Sequence, residues 1–88
     1  ADRLAAAVLA VPGVAALHPG MFGEVGTYLP GRRVAGIRLT DTAVDVHIVV
    51  VFGVPVRATA AAVRATVGAL QPGAAVNVTV EDVAPAPS

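Results

Sequence analysis

Polar and apolar residues alternate from Thr42 onward in the stretch TAVDVHIVVVFGVPV, then give way to an unbroken apolar run at Val49, Val50 and Val51, and Pro55 follows as a helix opener. The alternation predicts a central strand with Val44, Val46, Ile48, Val50 and Phe52 on one face and Asp45, His47, Val49 and Val51 on the other. The second face begins polar and ends apolar. A strand that is apolar on both sides needs cover on both sides, from its own helices or from another chain.

Flanking patterns supply the remaining elements. Leu4, Val8 and Val11 share one helical face with Ala5 and Leu9 beside it, Asp2 reads as the N-cap, and Pro12-Gly13 ends the helix. A short apolar piece, Val14 to Leu17, leads into a glycine-rich loop expected to lay Met21 and Phe22 over the core, with Tyr28 and Leu29 extending that cover. Val34 to Thr40 reads as one strand, with Ile37 and Leu39 on one face and Arg38 and Thr40 on the other. A hairpin at Asp41-Thr42 then pairs Leu39 with Val44, Arg38 with Asp45 and Ile37 with Val46. Asp-Thr is not a favoured two-residue turn, so a longer loop keeping that register serves equally well. Val56, Ala60, Val63, Val67 and Leu70 recur at helical spacing. Beside them Ala58, Ala62, Ala65 and Ala69 form a small-residue flank, the expected seat of the first helix. After Pro72-Gly73, Val76 to Val83 alternates inward valines with outward Asn77, Thr79 and Glu81. The expected fold is α+β: a two-layer α-β-β-α-β sandwich with a three-stranded, mostly antiparallel sheet and two helices. It forms a single domain over residues 1–83, followed by a disordered tail at 84–88.

Composition sharpens this picture. Hydrophobic residues make up 56% of the 88 and charged residues only 14%, against about 25% charged in average soluble proteins. Such a chain has apolar surface to place, and a small domain gains from a partner. Six arginines balance six acidic residues with no lysine, so no overall field draws in nucleic acid or an anionic membrane. The absence of cysteine excludes disulfides, thiolate metal sites and a cysteine nucleophile. The longest charge-free stretch, Leu4 to Leu17, is interrupted by Pro12-Gly13 and is shorter than the about 20 residues of a spanning helix. No signal peptide is expected, because a basic start followed by a small-residue cleavage site is missing.

Candidate chemistry is sparse. Asp45 and His47 point the same way from one strand, but no third metal ligand is visible, and nothing in the sequence brings His18 or Glu24 to them. The single serine is the terminal Ser88, which argues against a serine hydrolase. No catalytic residue, metal or cofactor is expected. Gly20-Met21-Phe22-Gly23 formally matches the GxxG loop of KH domains, with Arg32 and Arg33 as phosphate contacts; this makes a small RNA-binding module the alternative reading. The loop lacks flanking helices and an internal basic residue, and Arg57 and Arg64 read as solubilising helix residues.

Three segments together resemble the alkaline shock protein family, the envelope stress response proteins of Gram-positive bacteria. They are an Ala-rich helix closing on Val11-Pro12-Gly13-Val14, the central strand Val44-Asp45-Val46-His47-Ile48-Val49-Val50-Val51-Phe52-Gly53-Val54, and the closing strand Val76-Asn77-Val78-Thr79-Val80-Glu81-Asp82-Val83. Val51 departs from the family, whose members often carry an acidic residue there. The resemblance implies a non-enzymatic cytoplasmic protein that self-associates as a homo-oligomer. It further implies recruitment to the inner face of the cell membrane by a membrane-anchored protein partner, without inserting into the bilayer itself. On this reading the interface is the face carrying Asp45, His47, Val49 and Val51, together with the edge of the last strand. The alternative is that the first helix or the Met21-Phe22 loop covers that face internally.

Overall fold

The computed structural model describes residues 2–21, 23–29 and 32–86, apart from the side chains of Tyr28, Leu29, Arg32 and Arg33. In chain order the elements are α1 (Asp2–Leu9), β1 (Val14–Leu17), β2 (Gly26–Leu29), β3 (Arg32–Ala35), β4 (Ile37–Leu39), β5 (Ala43–Val51), α2 (Val56–Leu70) and β6 (Ala75–Ala84). The described residues thus form two helices and a mostly antiparallel sheet, an α+β fold.

β5 organises the sheet. One of its edges is divided between two antiparallel partners: β4 takes the N-terminal half (Leu39 with Val44, Arg38 with Asp45, Ile37 with Val46) and β1 takes the C-terminal half (Leu17 with Ile48, Val14 with Val50). The β4 register is the one that the alternation predicts. The handover falls at His47, whose carbonyl accepts from the His18 N–H at 2.9 Å while its own N–H donates to the Gly36 carbonyl at 2.9 Å. Along the other edge β6 runs parallel to β5 from Ala43 with Ala75 to Val51 with Ala84, with one irregularity between Ile48 and Val49. β2 and β3 form a separate antiparallel ribbon.

Side-chain alternation on β5 decides where the core lies. Val44, Val46, Ile48 and Val50 are each 1% exposed or less and cluster with Leu4 and Val8 of α1, Val63 and Val67 of α2, Val11 and Ile37. Because these β5 residues share one face, both helices lie on that face. Thr59 is also buried there, with its hydroxyl satisfied by donating to the Pro55 carbonyl at 3.0 Å.

Several expectations need correction. Val34 to Thr40 is not one strand: it breaks at Gly36, whose φ of +83° turns the chain so that β3 pairs with β2 and β4 pairs with β5. Val14 to Leu17 is a strand rather than a lead-in to a loop, giving the main sheet a fourth strand. Met21 covers nothing and is 82% exposed, while Phe22 lies outside the described residues. Tyr28 and Leu29 lie on β2, and the cover expected of their side chains falls outside the described residues. Phe52 does not join the inward set, because β5 ends at Val51 and the chain turns at Gly53, leaving the ring 75% exposed. The Ala58, Ala62, Ala65 and Ala69 flank is exposed; the turn that follows α1 meets α2 at Thr59, where Gly13 packs so closely that a Cβ on it would stand 2.9 Å from the Thr59 hydroxyl. Ala84 belongs to the last strand rather than to the tail, and 87 and 88 lie outside the described residues.

Candidate interaction surface

With both helices on one side, the opposite side of β5 has no helix layer. Asp45, His47, Val49 and Val51 are half-buried there by their neighbours within the sheet. The N-terminal half is polar and paired. Asp45 accepts a 2.9 Å bond from the Asn77 amide and stands in register with Arg38 on the other side.

His47 is held by Glu81. In β6 the pairing passes from Val80 opposite Ile48 to Asp82 opposite Val49, so Glu81 is the extra residue of a bulge, a device that re-aims a side chain. Its carboxylate lies 2.9 Å from His47 Nδ1 and 3.9 Å from His18 Nδ1. His18 Nδ1 already accepts from the Gly20 N–H at 3.0 Å, so in its neutral form that atom carries no proton, and the Glu81 bond belongs to His47. The two histidines therefore converge on one carboxylate, which sequence reasoning missed; neither the bulge nor the path of the His18 loop beside His47 leaves a local signature. No group of three or more His, Asp or Glu among the described residues is arranged to hold a metal ion.

Toward the C-terminal half the surface becomes apolar. Val49 stands opposite Ala16 on one side and Asp82 on the other, and Val51 stands opposite Ala84 and donates its N–H to the Gly13 carbonyl at 2.9 Å. Small neighbours leave these two valines as a shallow patch. At the same end of the molecule lie Leu9, Phe52, Val56 and Val83, four of the exposed large hydrophobic side chains. A groove of about 360 Å³ opens there between Pro12-Gly13 and the start of α2, lined by Val54, Pro55, Ala58, Thr59 and Ala62. The apolar end is a second feature that the sequence reading missed, since it assigned Phe52 and Val56 to the interior.

The Gly20–Gly23 segment has a different character. Gly20 and Gly23 both have positive φ, and the Gly23 N–H donates to the Gly20 carbonyl at 3.2 Å, closing a tight turn between two strands. The Glu24 carboxylate lies against Gly20, close enough that a Cβ there would meet it at 2.8 Å. Arg32 and Arg33 lie on β3, and their side chains fall outside the described residues.

Compared with known proteins, the chain matches no family model, no curated protein and no solved structure.

Proposed function

We propose that this domain is a non-enzymatic scaffold or adaptor of the envelope stress response type, self-associating through the outer face of its sheet. The observation that carries the proposal is the placement of both helices on the Val44–Val50 side, which leaves Val49 and Val51, half-buried within the sheet, with no helix over them. Apolar surface of this kind gains free energy when a second protein removes it from water. The polar half beside it, with Asp45 and His47 already paired, supplies a hydrated rim of the sort that borders interface cores. Recruitment to the cytoplasmic face of the membrane by an anchoring protein belongs to the same proposal and rests on the resemblance of the three quoted segments. No helix among the described residues is long and apolar enough to cross a membrane.

Lysine is the informative replacement at these positions. An Asp at 49 would face Asp82 directly and weaken the sheet itself, whereas a Lys there gains an opposite charge across the pair. Val49→Lys combined with Val51→Lys is expected to weaken self-association at least about tenfold, which corresponds to ~1.4 kcal/mol, while leaving the circular dichroism spectrum unchanged. Sedimentation velocity reads the first and far-ultraviolet dichroism the second. Assembly of wild-type strength in the folded variant would rule out this face as the interface.

A further inference from the structure

Among the described residues nothing pairs with the outer edge of β6, although this strand is 10 residues long. Which of its backbone groups are free follows from two bonds. The Ala75 N–H donates to the Thr42 carbonyl at 3.0 Å, and the Ala84 carbonyl accepts from the Phe52 N–H at 2.7 Å. In a parallel ladder a residue directs both its N–H and its C=O to the same neighbour, and successive residues alternate. Ala75, Asn77 and Thr79 therefore face β5, and Val76, Val78 and Val80 face outward. Beyond the bulge the phase resets, so Asp82 and Ala84 face inward and Val83 outward. Val83 does not offer its N–H, because that group already donates to the Asp82 carboxylate at 2.8 Å.

The edge is thus blunted at its C-terminal end by the bulge, by Glu81 and by the Asp82 cap, and it is open from Val76 to Val80. Natural proteins protect exposed edges with charge, proline or bulges. The open stretch Ala75-Val-Asn-Val-Thr-Val has none of these and is rich in β-branched residues.

We infer that this open stretch pairs antiparallel with the same stretch of a second copy, on a twofold axis through Val78. The inference rests on the reading that the domain self-associates, and it adds a second, distinct contact with a defined register. Val78 is the centre that satisfies every open group: Val78 exchanges bonds with its counterpart and Val76 with Val80. Centring on Val80 would draw in the capped Val83 region, and centring on Val76 would leave Val80 unpaired. With Val78 at the centre, Asn77 faces Thr79 and Ala75 faces Glu81, so no like charges oppose one another. The half-buried sides of Val76, Val78 and Val80 would also meet across the axis, and the twofold closes the contact into a dimer rather than a fibre.

The absence of cysteine makes the register directly testable. Asn77 and Thr79 are exposed and would form a non-hydrogen-bonded pair with Cα atoms about 4.5 Å apart, within disulfide range. Residue 77 and its own counterpart would be displaced by two positions, beyond that range. A mixture of Asn77→Cys and Thr79→Cys proteins, oxidised with copper phenanthroline, is expected to give a cross-linked heterodimer, and neither protein alone a homodimer. Asn77→Lys with Thr79→Lys is expected to abolish this contact without changing the dichroism spectrum. Equal cross-linking by each single-cysteine protein, no cross-link in the mixture, or wild-type association in the double-lysine variant would each overturn the Val78 pairing. If that variant associates normally while the Val49 and Val51 lysines disrupt assembly, the pairing fails and the outer-face reading stands. A wild-type chain that remains monomeric removes both.

Discussion

Gly36→Ala is expected to destabilise the domain by about 3 kcal/mol or more, lowering the melting temperature by roughly 12 °C or more for a chain of this size. Two costs combine. The residue has φ +83°, a conformation that costs an L-residue about 1–2 kcal/mol. In addition, an added Cβ would stand 2.8 Å from the Leu17 Cβ, 3.0 Å from the His18 nitrogen and 3.1 Å from the His47 carbonyl. Two of those neighbours are backbone atoms at the point where the edge of β5 passes from β1 to β4, so relief requires moving strands rather than rotating a side chain. Gly73→Ala is the matched control. It has φ +86° with nothing within 4 Å of its Cβ position, so it incurs the conformational cost alone. Thermal unfolding of the two variants separates the terms, and equal losses would show that the β1–β4 junction is not tightly constrained.

The second large effect is at Ile48. Its side chain is 0% exposed at the centre of the sheet, in register with Leu17 on one edge and Val80 on the other. Truncation to alanine removes buried methyl and methylene groups and leaves a cavity that the strands on either side cannot collapse to fill. Ile48→Ala is expected to cost about 4 kcal/mol, a large share of the roughly 5–15 kcal/mol that such domains possess. The adjacent Val49→Ala, on the unlayered face, is expected to cost about 1 kcal/mol or less. Urea denaturation checks the contrast. Similar losses at 48 and 49 would mean that both faces of β5 are core, contrary to the placement of both helices on one side.

That contrast also shows what was legible in the sequence. The strict alternation from Val44 to Val50 determines which face is buried, and the hairpin register follows from the turn at Asp41-Thr42, which sets Leu39 opposite Val44 and Ile37 opposite Val46. Where periodicity stops, so does its information. Phe52 lies one position beyond the end of β5, and parity carried past that end sends its ring inward when it is exposed. Gly36 sits between Val34 and Ile37, residues that read as one strand, and the change of partner there is set by tertiary packing of Leu17 and His18. Thr59 is polar, so a count of apolar positions on α2 passes over it although it faces Gly13. The approach of His18 and His47 to Glu81 depends on a bulge in a strand 34 residues along the chain from His47, a relation without a local signal.

The most direct test of the unlayered outer face as an interface is light scattering coupled to size-exclusion chromatography of the wild-type chain over a wide concentration series, with the Val49→Lys, Val51→Lys variant alongside. The expected result is a mass that rises with concentration for the wild type and stays lower for the variant across the same range. A monomer mass for the wild type at every concentration, or superimposable curves for the two proteins, would contradict self-association through this face.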